Sequence, residues 1–136
     1  MSVIASERVK RNDCLDWQPS EEEEQKTVIE WAMIMRTQRP ELDLLFHVPN
    51  GGWRHPAVAQ KMKEAGVKPG VPDLFLPVPR GNAHGLWVEM KRRKGGKLSQ
   101  DQKDWIEALE AQGYVCFVAR GSDEACDAIW NYLEGE

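Results

Sequence analysis

Two short apolar runs near the middle of the chain, at residues 70–76 and 86–91, have the length and composition of β-strands. In the second run apolar side chains occupy every second position, and the positions between them include Glu89 and Lys91. Since side chains alternate along a strand, one face can pack in the core while the other carries charge. Turn-forming residues between the runs predict a hairpin with a longer loop, which would bring Asp73 close to Glu89 and Lys91.

The rest of the chain shows helical and strand periods in turn. These periods predict helices at residues 21–37, 57–65, 99–112 and 122–133, and further strands at residues 42–48 and 114–119. Elements in this order predict an α/β domain whose central mixed sheet is flanked by helices. Residues 1–19 show no clear period and are expected to form an N-terminal arm, with the folded domain at residues 20–136.

Two of these helices allow more specific expectations. Ser20 and Glu23 have the spacing of a capping box, which predicts that the first helix begins directly after Ser20. In the helix at residues 57–65, the apolar spacing predicts that Val58, Met62 and Ala65 face inward.

Composition limits the class of protein. The chain has 136 residues, of which 41% are hydrophobic, as expected for one compact domain. No apolar run approaches the ~20 residues of a membrane span, and the start lacks the apolar core of a signal peptide. We therefore expect a soluble cytoplasmic protein that does not bind membranes. Cys116 and Cys126 lie in apolar patterns, and we expect them to be small core residues.

The charge is unevenly distributed. The net charge of −4 argues against binding of nucleic acid by bulk charge alone. However, a cluster of basic residues follows the second strand of the hairpin, and it consists of Lys91, Arg92, Arg93, Lys94 and Lys97. A basic cluster beside two carboxylates suits a phosphodiester substrate, since phosphate contacts supply most non-specific affinity. The alternative is a solvated, lysine-rich loop.

The predicted pair of carboxylates has two interpretations. Two carboxylates a few ångströms apart repel, and a divalent cation between them relieves the repulsion. Mg²⁺ fits such a pair, because it binds one or two carboxylates together with phosphate oxygens. Bound in this way it promotes attack of water on phosphorus, and Lys91 could stabilise the charge that develops. The alternative is an ordinary salt bridge on the wet face of the sheet.

The order of motifs favours the first interpretation. Pro72-Asp73, a strand, a turn and then Glu89-Met90-Lys91 resemble the core motif of the PD-(D/E)xK nuclease superfamily. The flanking motifs are Ser20-Glu21 to Gln25, His47-Val48-Pro49-Asn50-Gly51-Gly52, Gly66-Val67-Lys68-Pro69-Gly70, and Leu98-Ser99 to Gln102 with Trp105. In this order, over residues 20–133, they resemble a stand-alone VRR-NUC (virus-type replication-repair nuclease) domain of the phage or bacterial kind.

The resemblance implies a restriction-endonuclease-like fold and a Mg²⁺ or Mn²⁺ cofactor. It implies that Asp73, Glu89 and the backbone carbonyl of Met90 bind the metal, and that Glu21, or else Glu24, completes the site. Lys91 would activate water or stabilise the transition state, and Gln102 would point back at the active site.

Residues suited to DNA contact surround this predicted site. They are Asn50, Gly51, Arg54, Lys68, Arg92, Arg93, Lys94 and Lys97. Trp53 and His55, beside Arg54, suit stacking or backbone contact.

The resemblance implies a homodimeric endonuclease of DNA repair that cuts branched DNA such as a Holliday junction. The alternatives are a flap, nicking or restriction-like nuclease on the same fold, a non-catalytic DNA-binding module, and an α/β domain whose acidic pair is only structural.

Overall fold

A mixed four-stranded sheet forms the centre of the computed structural model, which describes residues 17–50 and 53–135. Its strands are β1 (Phe46–His47), β2 (Leu74–Leu76), β3 (Leu86–Lys91) and β4 (Val115–Arg120), and they lie side by side in this order. β1 with β2 and β2 with β3 are antiparallel, whereas β3 and β4 are parallel. The predicted hairpin is therefore present as the β2–β3 pair.

Four α-helices accompany the sheet in the described part of the chain: α1 (Glu21–Met35), α2 (Pro56–Glu64), α3 (Gln100–Ala111) and α4 (Ser122–Glu134). α1 and α4 pack against each other, and both contact β3. The apolar side chains of β3 face these two helices and form a dry core that includes Val28, Leu74, Leu76, Leu86, Val88, Met90, Ile129 and Leu133. None of the helices in residues 17–50 and 53–135 has the length and apolar character needed to cross a membrane.

Capping boxes fix where α1 and α3 begin. The Ser20 hydroxyl accepts the N–H of Glu23 at 3.1 Å, and the Glu23 carboxylate accepts the N–H of Ser20 at 2.9 Å. Ser99 and Gln102 form the same reciprocal pair at the start of α3. Both caps satisfy backbone donors that a helix start leaves unpaired, so α1 and α3 begin at defined residues.

The α/β fold with a mixed sheet and flanking helices is confirmed, but two details of the prediction are wrong. The predicted strand at residues 42–48 begins instead as a 3-10 helix, Pro40–Leu44, because the fixed φ of proline suits a helix start. α2 does not face the core: no residue of α2 is buried, and Val58 is 49% exposed. The predicted arm at residues 1–19 lies mostly outside the described residues.

A buried carboxylate joins three distant segments. Glu24 of α1 is only 3% exposed and accepts the N–H of Ser122, the first residue of α4, at 2.6 Å. It also accepts from Arg93, whose Nη2 lies 3.2 Å from Glu24 Oε1. Gly121 allows this close approach, because it has a φ of +92° and a Cβ there would lie 2.6 Å from Glu24 Oε2. Glu24 therefore ties α1 to the loop after β3 and to the start of α4.

We expect Gly121→Ala to reduce the free energy of unfolding by about 3 kcal/mol, because the added methyl group strains the backbone and displaces Glu24. Gly95→Ala is the matched control, since Gly95 has a φ of +83° but open space around it. This control isolates the cost of the left-handed backbone, which we expect to be about 1 kcal/mol. Urea denaturation of both variants measures the difference, and equal losses would contradict this account.

Candidate metal centre

Strand pairing brings Asp73 and Glu89 together. Leu74 of β2 pairs with Val88 of β3, so the next residues along the two antiparallel chains are Asp73 and Glu89. The carboxylate of Asp73 is held in place by the backbone of the neighbouring strand, because its Oδ2 accepts the N–H of Met90 at 2.7 Å. The backbone carbonyl of Asp73 accepts the N–H of Val48 at 2.7 Å and lies 2.9 Å from Nδ1 of His47.

Glu89 has one oxygen with partners and one without. Its Oε1 accepts the amide N–H of Gln102 at 2.9 Å and lies 3.8 Å from Lys91 Nζ. Its Oε2 is buried and has no hydrogen-bond partner within residues 17–50 and 53–135. A buried oxygen without a partner is costly, so this carboxylate requires a proton or a cation.

The raised pKa values of Asp73 and Glu89 indicate the same need for a proton or a cation. Burial, together with the nearby charge of Asp73, raises the pKa of Glu89 to about 8 in spite of the opposing effect of Lys91. Burial also raises the pKa of Asp73, although the Met90 N–H and Lys91 act against it. At neutral pH the carboxyl pair on its own therefore retains a proton, and a cation that binds there must displace it.

The donors fit a hard divalent cation. Asp73 and Glu89 offer oxygen atoms only, as Mg²⁺ and Mn²⁺ prefer. The backbone N–H and C=O of one strand residue point to the same side, and the N–H of Met90 points to Asp73, so its carbonyl also faces Asp73. Across the described residues, no three His, Cys, Asp or Glu side chains form a preassembled metal cluster. Remaining ligands would have to come from the backbone, water or substrate.

The two candidate acids on α1 lie in different surroundings. Glu21 lines an open pocket of about 780 Å³ together with Asp73 and the backbone of Met90, and its charge contributes to the raised pKa of Glu89. Glu24 is instead buried against Ser122 and Arg93. Of the two alternatives, Glu21 is therefore the one that faces the carboxyl pair.

Gln102 orients Glu89 and does not itself point into open space. Its amide oxygen accepts the N–H of Ser99 at 2.9 Å, and its amide nitrogen donates to Glu89. Since a backbone N–H can only donate, the cap of α3 fixes the amide so that its NH₂ group faces the carboxylate. The same side chain thus begins the helix and sets the rotamer of Glu89.

Lys91 is an almost fully buried cation. It is 6% exposed, and Gly96 lies against its aliphatic stem, where a Cβ on Gly96 would come within 3.4 Å. A lysine held in this way keeps its ammonium group at the carboxyl pair and cannot swing to solvent.

Some of the predicted DNA-contact residues are exposed to solvent, and others are bonded to groups within the protein. Arg92 lines the pocket, and the side chains of Lys68, Lys94 and Lys97 are exposed. Three others are engaged within the protein: Asn50 donates to the carbonyl of Val71, Arg54 donates to the carbonyl of Pro49, and Arg93 pairs with Glu24. Gly51 lies outside the described residues.

Five residues without a predicted role in the metal site also line the pocket: Ser20, Glu22, Gln25, Lys26 and His47. His47 directly precedes Val48, whose N–H donates to the Asp73 carbonyl. The signal available in the sequence was the His47-Val48-Pro49-Asn50 motif. Lys26 lies one turn beyond Glu22 on α1, and that spacing alone does not distinguish a site residue from a solvated one.

The sequence itself matches a known family. A sequence model of the VRR-NUC domain matches residues 6–123, which is most of the chain. The chain belongs to the VRR-NUC domain family. A solved structure described as a VRR_NUC domain protein is 34% identical to this VRR-NUC domain, with a TM-score of 0.75. The match covers 87% of this chain and 91% of that one. No curated protein matches this chain.

The family and fold predicted from the sequence are thus confirmed. A VRR-NUC domain implies a nuclease of the PD-(D/E)xK type. The residues of this chain that resemble that motif are Asp73, Glu89 and Lys91.

The two acids of α1 can be separated by experiment. We expect Glu24→Gln to lower the free energy of unfolding by about 2 kcal/mol through loss of charge-assisted hydrogen bonds, while the folded protein retains its activity. We expect Glu21→Gln to change the free energy of unfolding by no more than about 0.5 kcal/mol. It should raise the Mg²⁺ concentration needed for half-maximal activity about tenfold. Urea denaturation and Mg²⁺ titrations of nuclease activity measure both, with the exposed Glu30→Gln as control. Loss of activity without loss of stability in Glu24→Gln would reverse the assignment.

The raised pKa of Glu89 makes stability depend on pH in EDTA. Folding raises this pKa from 4.5 to about 8, so between these values the folded protein binds a proton that the unfolded chain does not. The free energy of unfolding therefore falls as pH rises through this window, by up to about 1.4 kcal/mol per pH unit. We expect Glu89→Gln to lose this decline.

Urea denaturation in EDTA at intervals from pH 5 to pH 8.5 compares the two proteins. Mg²⁺ should restore the stability of the wild type at pH 8 and leave Glu89→Gln unchanged. Parallel pH profiles for the two proteins would show that Glu89 does not carry the proton.

Proposed function

We propose that this VRR-NUC domain is a Mg²⁺- or Mn²⁺-dependent endonuclease that hydrolyses phosphodiester bonds in DNA. One observation carries the proposal: a carboxylate oxygen of Glu89 is buried without a partner beside Asp73 and Lys91. A structural ion pair would satisfy that oxygen, whereas here it depends on a proton, which a divalent cation can displace.

Each residue of the proposed site would have a distinct role in the reaction. Asp73, Glu89 and the Met90 carbonyl would hold the cation, and Glu21 would complete its surroundings. When bound, the cation neutralises phosphate charge and favours deprotonation of the attacking water. The Met90 N–H and Gln102 keep the two carboxylates in place, so little reorganisation is needed during the reaction. Lys91 supplies a fixed positive charge for the oxygens on which negative charge develops.

The surroundings support a DNA substrate. Lys26 and Arg92 line the pocket, and Lys94 and Lys97 are exposed in the loop directly after β3. The side chain of Gln18 braces this loop through the backbone of Lys94, since the Lys94 N–H donates to Gln18 Oε1 at 3.2 Å. Basic groups held beside a cation site suit a phosphodiester backbone that must cross it.

We further propose that the substrate is branched DNA such as a four-way junction, and that the protein acts in the cytoplasm as a homodimer. The outer position of β4 supports dimerisation, because among the described residues this strand pairs only with β3, and its Val115 and Phe117 are 42% and 38% exposed. Exposed strand edges readily pair with a second chain. A two-fold dimer would present two sites to the two strands that a junction resolvase must cut.

The test is cleavage of a labelled four-way junction, a flap, a nicked duplex and an intact duplex, each with Mg²⁺, Mn²⁺ or EDTA. We expect paired, symmetric nicks in the junction that require the metal. Asp73→Asn and Lys91→Met should each reduce the rate at least about 100-fold, because phosphoryl transfer depends on positioning and charge neutralisation. Both changes conserve side-chain size, so loss of activity will not reflect lost packing.

The control is Asp43→Asn, which removes an exposed carboxylate beside Arg36 at the far end of α1. Its cleavage rate should match that of the wild type. Cutting of flaps or intact duplex in place of junctions would retain the chemistry and exclude the proposed substrate. Binding without cleavage in either metal would reduce the protein to a DNA-binding module.

A further inference from the structure

A protruding segment between β1 and β2 has no role in the site described above. This segment, residues 53–69, comprises Trp53, the helix α2 and the turn after it, and we call it the basic arm. No residue of α2 is buried in the core. Trp53 is 85% exposed, more than any other large apolar side chain of residues 17–50 and 53–135. An indole held in solvent is unusual and indicates a binding surface.

The basic arm projects from the end of the sheet that carries Asp73. On one side, Val48 at the end of β1 donates its N–H to the Asp73 carbonyl, and Asn50 donates to the carbonyl of Val71. On the other side, Gly70 touches the backbone of Asp101 in the first turn of α3, where a Cβ would lie 2.6 Å away. Gln102, which orients Glu89, is the next residue. The base of the arm is thus fixed against the metal-site residues.

Charge distinguishes the basic arm from the rest of the protein. It contains four basic residues, Arg54, Lys61, Lys63 and Lys68, and one acid, Glu64, so its net charge is +3. The whole chain carries −4. Within the described residues, none of the three lysines forms an ion pair. Free cations on an otherwise acidic protein favour a polyanionic partner over a second copy of the same chain.

Internal contacts keep the arm in shape. Arg54 bridges the sulfur of Met62 and the carbonyl of Pro49, and the His55 ring accepts the N–H of Ala57 as the cap of α2. These bonds fix the backbone on the C-terminal side of Trp53. The indole is therefore presented by a braced segment and its face remains available for stacking.

We propose that the basic arm binds unpaired nucleotides next to the cleavage site, where Trp53 stacks on a base and Lys61, Lys63 and Lys68 contact phosphates. Stacking on an aromatic side chain requires a base that is out of the duplex, whereas lysine contacts are made with any strand. The arm would thus favour DNA whose bases are unpaired beside the cleavage site, as at a flap or an opened branch point. This inference rests on the proposed function as a DNA nuclease.

The test is equilibrium binding, by fluorescence anisotropy in EDTA, of a blunt duplex and of the same duplex with a single-stranded flap. We expect Trp53→Ala to weaken flap binding about tenfold and to change duplex binding less than about twofold, since stacking occurs only with unpaired bases. Trp53→Phe should restore most of the flap affinity. The double variant Lys61→Gln/Lys63→Gln should bind both DNAs more weakly. The slope of log affinity against log salt concentration should become shallower by about one unit per lysine.

Two exposed residues, one in α1 and one directly after it, provide matched controls. Met33→Ala removes a side chain that is 61% exposed, and Arg36→Gln removes an exposed positive charge near the far end of that helix. Neither should change the affinity for either DNA. Equal effects of Trp53→Ala on both DNAs, or none, would overturn the proposal. So would a sedimentation result in which Trp53→Ala dissociates a dimer and leaves DNA binding intact.

Failure of this inference can be told apart from failure of the nuclease proposal. Binding in EDTA does not depend on cleavage, so selective loss of flap binding in Trp53→Ala would support the arm even if no metal activates the protein. Metal-dependent cleavage with unchanged flap binding in Trp53→Ala would retain the nuclease and exclude the arm.

Discussion

Repulsion between the carboxyl groups of Asp73 and Glu89 is the constraint on which the site depends. Both groups are shielded from water, and both have raised pKa values because of it. The protein does not relieve the repulsion by moving them apart, since the pairing of β2 with β3 sets their spacing. It relieves it only partly with Lys91, whose ammonium lies 3.8 Å from one oxygen of Glu89. The residual demand for positive charge is what suits the pair to the divalent cation that we propose for this site.

Glu24 is a second buried carboxylate, but its role is structural. Glu24 has its full set of partners in Arg93 and the N–H of Ser122, so it has no capacity left for a cation. Glu21 and Glu24 lie three residues apart on one helix and share a face, yet the first reaches the pocket and the second reaches α4. Anchoring α1 through Glu24 holds the helix start, and Glu21 with it, at a fixed height above the sheet edge.

The sequence was sufficient where the pattern itself carries the geometry. Strand alternation and the turn between the runs predicted the hairpin that joins Asp73 to Glu89, and the Ser20–Glu23 capping pair predicted the start of α1. The exposure of α2 could not be predicted from Val58 and Met62. Apolar spacing shows which side of a helix is apolar, but not whether another element packs against that side. Likewise, the sequence identifies Arg54 and Arg93 as positively charged. It could not show that Arg54 already contacts the sulfur of Met62 or that Arg93 already pairs with Glu24.

An acidic protein can bind DNA, as we propose for this chain, only where it places positive charge locally. With a net charge of −4, this chain gains little from long-range attraction to a duplex. Its free cations flank the carboxyl pair instead: the basic arm on the side of β1, and Arg92, Lys94 and Lys97 after β3. On the proposed function, these flanking cations would hold a DNA strand even without a metal. A divalent ion at the carboxyl pair would then serve the chemistry more than the binding.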